Sequence, residues 1–364
     1  MTTARIPTRK QKKSIIVGVY CQIRPIERPG DKMRAAVIPK IQSRWQVEEV
    51  PVPKPAANQV LIKIHASGLC YSDVHLTNGD LPFSLPFPLT AGHEPVGEIV
   101  ELGDGISTRR KGDRVGVPFL QSFCGRCEWC QRGKPLYCDQ QQGTGAQLQG
   151  GHAEYMLANA NATTLLPNEI SYEQAAPVFC AGYTVWSGLR AADPKPHERI
   201  AVLGIGGLGH LGIQYSKVSG FETVAITHSK DKEELAMKLG ASQVVTNGEE
   251  LRSAGGADVI LITSNSYKPA IDALKGLRPE GRMVIMGVST EPLNIPALPL
   301  FLYRQHILGS QQNGIKYLYE ALDLVAKGKV KVMTETFPLE DISQAYDKVA
   351  NGQVRFRAVI EPTK

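Results

Sequence analysis

Four cysteines, Cys124, Cys127, Cys130 and Cys138, fall within fifteen residues and are separated by two, two and seven others. Four thiolates so spaced can close a tetrahedral shell around Zn²⁺. Gly125 and Gly133 supply the tight turns that such a knuckle requires. Protein would then fill every coordination position and leave none for a substrate, so this zinc is expected to be structural. The bland alternative is a loop of free thiols, which would be prone to oxidation.

A second set is dispersed: Cys70, His93 with Glu94 beside it, and Cys180. Taken singly, each is more often a buried structural residue than a ligand. Together they offer two thiolates and one imidazole and leave a fourth position open, where zinc can act as a Lewis acid on a carbonyl or alkoxide oxygen. Cys21 is the one cysteine that the two sets leave over.

The third pattern is glycine-rich: Gly204-Ile-Gly206-Gly207-Leu208-Gly209. Such a run is a common accident on its own. Here it lies between the strand-like Ile200–Leu203 and a stretch where Leu208, Leu211, Tyr215 and Val218 recur at helical spacing. Strand, glycine turn and helix make a dinucleotide fingerprint, with the pyrophosphate on the helix N-terminus. A fold specific for NAD usually carries an acid at the end of the next strand, to bind the ribose 2′-hydroxyl. Here Thr223–Thr227 runs into His228, Ser229 and Lys230, while Glu222 precedes the strand and Asp231 follows it. Small hydroxyls and a lysine favour a 2′-phosphate, hence NADP over NAD. The alternative is that Lys230 is a solvated residue at a helix start.

These residues need two kinds of scaffold. From Met33 to about Thr184, short β-type runs such as Val60–Ile64, Val96–Val100 and Arg114–Val117 are broken by Gly and Pro, which predicts a β-rich, barrel-like domain. From residue 185, strands alternate with helices. Runs at Gln243–Thr246, Val259–Ile262, Met283–Gly287 and His306–Gly309 bring the strands to six, with a helix over Asp231–Leu239. That alternation predicts a doubly wound parallel sheet. Strand-like pieces in the last forty residues indicate a return to the first domain.

Composition narrows the function class. The chain has 364 residues and a net charge of +6. Residues 1–32 alone hold eight basic and two acidic side chains, which leaves 33 of each sign in the remainder. A neutral body argues against a nucleic-acid-binding surface. No apolar run approaches the roughly 18 residues of a membrane span. Free thiolates imply a reducing compartment, so a cytoplasmic location is expected. The basic extension 1–32, with apolar Ile15–Cys21, reads as a disordered lead, with organelle targeting or secretion as alternatives.

From Met33 to Lys364 the chain resembles the zinc-dependent medium-chain alcohol dehydrogenases, especially the cinnamyl-alcohol and aldehyde-reductase branch. The motifs that carry the likeness are Gly68-Leu-Cys70-Tyr-Ser72-Asp73-Val-His75, Gly92-His93-Glu94-Pro-Val-Gly97, the four-cysteine loop, Cys180-Ala-Gly-Tyr-Thr184 and the glycine fingerprint. Two cysteines and a histidine are that family's own ligand set, so this is a match to a known pattern. The resemblance implies a GroES-like catalytic domain over 33–184, completed by about 325–364, and a Rossmann domain over 185–324. It implies two zincs per chain, with Cys70, His93 and Cys180 at the catalytic one and Glu94 as an acidic neighbour able to approach it. Asp73 is then the carboxylate that orients His93, and Ser72 with His75 a proton relay. Thr184 packs near the nicotinamide, and Arg357 contacts cofactor phosphate. The family likeness further implies an alcohol or aldehyde substrate and a homodimer or homotetramer. Rival readings are a zinc-free enone or quinone reductase, a non-catalytic zinc protein, and a sugar-alcohol dehydrogenase, which the ligand set fits less well. One departure is Tyr71, where many relatives carry His or Arg.

Overall fold

The computed structural model describes residues 32–82 and 84–364. The basic extension expected over 1–32, its apolar run and Cys21 lie outside the described residues, apart from Lys32, which opens the first strand.

The β-rich part is built on the strand Gln59–Leu69. Val60, Ile62, Ile64 and Ala66 make one face of it apolar and fully buried, while Lys63 and His65 on the other face are only half-buried, and the strand pairs along both edges. Val60, Ile62 and Ile64 pack with Ile99, Val115 and Met156, while Leu69 joins Ile38, Leu339, Ala358 and Ile360 in a second cluster. Glu94–Leu102 and Tyr155–Asn159 pair antiparallel with it. At its carboxyl end the antiparallel partner is Arg357–Glu361, which itself runs parallel to Thr334–Pro338. The last strand of the chain therefore lies inside this seven-stranded sheet, next to one of the earliest. Lys32–Ile38, Gln46–Pro51 and Leu89–Thr90 form a separate three-stranded sheet.

The other half is a six-stranded parallel sheet in the order Gln243–Val245, Glu222–Ile226, Arg199–Leu203, Ala257–Ile262, Leu277–Ile285, His306–Gly309. Numbered along the chain this is 3-2-1-4-5-6, the doubly wound Rossmann order, whose ligand crevice lies where the order reverses. Arg199–Leu203 is buried throughout, as a strand with both faces covered must be. All six expected strands are present, His306–Gly309 with the expected bounds and the other five with shifted ones. Leu277–Ile285 begins well before Met283, because Pro279 and Gly281 disguise its first half in the sequence. Glu222 is not ahead of its strand; it is the first residue of it, at the amino end and paired with Arg199 at 2.8 Å, away from the crevice.

Candidate active site and metal centres

Three separate elements deliver the dispersed set. Cys70 ends the strand Gln59–Leu69 and caps the helix Tyr71–Asn78. His93 and Glu94 lie at the start of the strand Glu94–Leu102, just after Gly92, whose φ of +96° only glycine adopts cheaply. Cys180 stands at the junction between the turn Ala176–Phe179 and the helix Ala181–Ala192. One ligand atom from each of Cys70, His93, Glu94 and Cys180 falls within 4.8 Å of all the others. The two sulfurs are 3.9 Å apart. A tetrahedral ion with Zn–S bonds of about 2.3 Å needs sulfurs about 3.8 Å apart, so the cluster fits zinc.

Asp73, fully buried, braces this cluster. Its carboxylate accepts the Cys70 N–H at 2.8 Å and the Gly92 N–H at 3.4 Å, and faces His93 Nδ1 at 3.2 Å. Burial disfavours an imidazolium at His93, yet the Asp73 charge and hydrogen bond hold its pKa well above the ordinary value. The Cys180 thiol's hydrogen bond, with help from Arg357 and His93 against burial, draws the Cys70 thiol well down. Burial pushes the Glu94 carboxyl up to about 7, in spite of the Arg357 guanidinium with which it forms a buried ion pair. Gly68 must be glycine, since a Cβ there would enter the Glu94 carboxylate.

Ser72 and His75 stand three residues apart on one face of the helix Tyr71–Asn78. The Ser72 hydroxyl is 3.8 Å from the Cys70 sulfur. His75 Nδ1 lies 2.9 Å from Asp80, and its buried Nε2 has no hydrogen-bond partner. Tyr71 meets the His75 ring edge-on at 5.0 Å, and Phe119 meets His93 in the same manner at 6.2 Å.

Cys124, Cys127, Cys130 and Cys138 also gather within 4.8 Å of one another, with sulfurs 3.9 Å and 3.5 Å apart where they touch. Gly125 and Gly133 hold φ near +70°, as their turns demand. Backbone N–H groups of Arg126 and Cys127 bring the Cys124 thiol down to about 6, which favours a ligating thiolate.

The fingerprint glycines connect the strand Arg199–Leu203 to the helix Gly209–Val218. Gly204 has φ +89°, and a Cβ on Gly209 would strike the Gly204 carbonyl oxygen. Leu208 caps the helix, and Gly206 borders open space. Arg357 reaches the loop as well: its Nη1 is 2.9 Å from where a Cβ of Gly207 would stand. One guanidinium thus touches both the glycine loop and Glu94. Thr184 is buried in the first turn of the helix Ala181–Ala192, its N–H donated to the Cys180 carbonyl. His228 and Lys230 are exposed at the carboxyl end of the second strand of the parallel sheet, and Ser229 caps the helix Lys230–Leu239.

The family described as alcohol dehydrogenase GroES-like domain matches residues 56–168, and that described as zinc-binding dehydrogenase matches 207–327. An alcohol dehydrogenase of Geobacillus stearothermophilus is 39% identical over 335 residues, covering 90% of this chain and 99% of its own. The chain belongs to the zinc-dependent medium-chain alcohol dehydrogenase family. An alcohol dehydrogenase of Moraxella sp. is 38% identical over 91% of this chain and 100% of its own. Among solved structures, a cinnamyl alcohol dehydrogenase of Sorghum bicolor superposes with a TM-score of 0.83 at 25% identity, covering 91% of this chain and 98% of that one.

In this alcohol dehydrogenase family member, several residues near the site escape sequence reasoning. Asp80, the partner of His75, carries only a faint signal: it follows Gly79, which ends the helix in a left-handed turn. Thr263 donates to the carbonyls of Leu203 and Gly204 at 2.8 and 2.9 Å and so anchors the glycine turn. Arg355 pairs with Asp231 at 2.7 Å beside the Ser229 cap. Neither partner of these last two contacts is signalled by local sequence.

Proposed function

We propose that the chain is a zinc-dependent alcohol dehydrogenase that interconverts a primary alcohol and its aldehyde with a nicotinamide dinucleotide, NADP(H) in preference to NAD(H). The observation that carries this is the meeting of Cys70, His93 and Cys180 at zinc-ligand spacing, with Ser72 on the adjoining helix. Zinc held by those three residues supplies Lewis-acid polarisation of the substrate oxygen, and the dinucleotide supplies the hydride acceptor or donor. Asp73 fixes the His93 ring so that Nε2 points into the cluster. The Ser72 hydroxyl takes the proton of the alcohol, and His75, steadied by Asp80, passes it outward. Glu94, held back by Arg357, is the acid able to approach the metal. Cys124, Cys127, Cys130 and Cys138 would hold a second, structural zinc. Alcohol oxidation thus releases one proton and reduces one dinucleotide.

Gly204, Gly206, Gly207, Leu208 and Gly209 form the pyrophosphate seat, with Arg357 beside it and Thr184 toward the nicotinamide. His228, Ser229 and Lys230, without an acid at the end of the second strand, favour a 2′-phosphate. Phe119 against His93 points to an apolar or aromatic aldehyde. The working unit is a homodimer or homotetramer, in keeping with an outer edge at His306–Gly309 and a helix, Ala297–Tyr303, that exposes Leu298, Phe301, Leu302 and Tyr303. No helix among the described residues is long and apolar enough to cross a membrane, and free thiols at both clusters favour the cytoplasm.

The test is zinc content per chain together with NADPH and NADH oxidation on an aromatic aldehyde. Two zincs and turnover preferring NADPH are the expected result. One zinc without turnover would move the protein to a non-catalytic role, and turnover without zinc would make it an enone or quinone reductase. Lys230→Ala should raise the KM for NADPH about tenfold, the worth of one charge-assisted hydrogen bond, and leave that for NADH unchanged.

A further inference from the structure

His210 is the second residue of the helix Gly209–Val218, directly after the glycine fingerprint, and is fully buried. Its Nδ1 lies 3.2 Å from the Gly206 carbonyl oxygen, inside the loop. On the opposite edge of the ring, Nε2 accepts the N–H of Met333 at 3.4 Å. The ring stacks on Phe356, with centroids 4.9 Å apart and planes within 8° of parallel. Burial pushes its pKa down to about 3, so the imidazole is neutral, with one N–H to give and one lone pair to offer. The two partners match that polarity: Gly206 supplies an acceptor and Met333 a donor. A phenyl ring would fill the same space and keep the stack but bond neither partner. An asparagine would reach Gly206 only.

Met333 holds a key place in the returning chain. Its carbonyl accepts the N–H groups of both Phe356 and Arg357, at 3.3 and 3.2 Å. The Phe356 carbonyl presses on the loop, 3.3 Å from where a Cβ of Gly207 would stand. Arg357 then runs to its buried ion pair with Glu94. One turn along the same helix, Gln214 donates to the Lys331 carbonyl at 2.9 Å and accepts the Lys331 N–H at 2.8 Å. Loop, helix and returning chain are thus stitched together by side chains that imitate a sheet edge, and His210 is the stitch nearest the loop.

We propose that His210 is a positioning residue that fixes the dinucleotide loop against the returning chain, so that Arg357 keeps its place between the loop and Glu94. This role rests on the dinucleotide reading of the loop. Misplacing the loop relative to Arg357 weakens a pyrophosphate contact without touching the substrate side of the metal cluster. The cofactor constants should move, and the KM for alcohol should not.

The experiment compares the full-length enzyme with His210→Phe and His210→Asn, measuring NADPH and NADH binding by fluorescence, steady-state constants, zinc content and melting temperature. With the Met333 N–H left unpaired and the side-chain tie to the Gly206 carbonyl lost, while that carbonyl keeps the N–H of residue 210, His210→Phe should weaken dinucleotide binding about tenfold and lower kcat. Zinc content and the KM for alcohol should stay within twofold of wild type. His210→Asn, which keeps the Gly206 bond, should fall between the two and also serves if the phenylalanine variant does not fold. A variant that melts earlier but binds dinucleotide like wild type would overturn the proposal and leave His210 a packing residue. A wild-type enzyme that binds neither NADPH nor NADH would instead overturn the dinucleotide reading, and this role with it.

Discussion

Asp73 illustrates how much one side chain can organise. It is fully buried, bonds the backbone of the residue that carries the first sulfur, and faces the ring that carries the nitrogen. Asp73→Asn keeps the shape but replaces one acceptor with a donor. It should cost about 10–100-fold in zinc affinity at the Cys70–His93–Cys180 cluster, read as zinc loss to a chelator and a matching fall in turnover. On the proposed two-zinc reading, Cys70→Ser should abolish turnover and lower the zinc content by one per chain, the remaining zinc being that of the four-cysteine loop. A serine variant with normal activity and one zinc would remove the catalytic role from this cluster. His75 and Asp80 act as a pair, so His75→Gln should slow alcohol oxidation by about 10²-fold or more with zinc content unchanged.

At the level of elements, legibility follows sequence distance. The four-cysteine loop and the glycine fingerprint could be read from residues alone, because each is completed within a single turn or loop. The Cys70–His93–Cys180 set could be grouped by residue type as an open zinc site, and family resemblance matched that grouping and added the roles of its members. What could not be read are contacts across the chain: His210 with Met333 over 123 residues, Arg355 with Asp231 over 124, and Arg357 with Glu94 over 263. No local pattern encodes such pairs, since they depend on which distant segments the fold brings together; Glu94 and Arg357 meet because their strands flank Gln59–Leu69 in one sheet. For the same reason Arg357 could be expected at a cofactor phosphate but not at Glu94. The outer edge of the parallel sheet supports a prediction of its own. Phe301, 79% exposed on the short helix Ala297–Tyr303, precedes the edge strand His306–Gly309. If the proposed homo-oligomer forms through this edge, Phe301→Asp should give a smaller assembly than the wild type in analytical ultracentrifugation, with a single chain as the end point.

For the molecule as a whole, the buried neutral His210 sets a direction for acid stability. Its pKa is about 3 when folded, against an ordinary 6.5. Between those values the unfolded chain binds the proton and the folded one does not. The stability it supports is therefore present in full above about pH 6.5 and drains away as the pH falls toward 3. One such group contributes a slope of up to about 1.4 kcal/mol per pH unit. His152, pushed down to about 4 by burial, adds a slope of the same sign. In urea unfolding from pH 7 to pH 5 the wild type should therefore lose stability as the pH falls, with His210 contributing part of the slope. It should be shallower by up to one proton in His210→Phe, even though the variant starts out less stable. An identical slope in both would mean that other groups govern the acid limb.

The place of Arg357–Glu361 has a consequence for how the enzyme is made. This strand sits between Gln59–Leu69 and Thr334–Pro338 in the seven-stranded sheet, and it carries the guanidinium that meets Glu94. A nascent chain emerging from the ribosome can complete its parallel sheet early, since those strands are neighbours in synthesis as well as in space. It cannot close the β-rich sheet, or seat Glu94 beside Arg357, until Arg357–Glu361 has left the exit tunnel. A chain that stops before Arg357 should thus yield a folded parallel sheet and an open, aggregation-prone β-rich half.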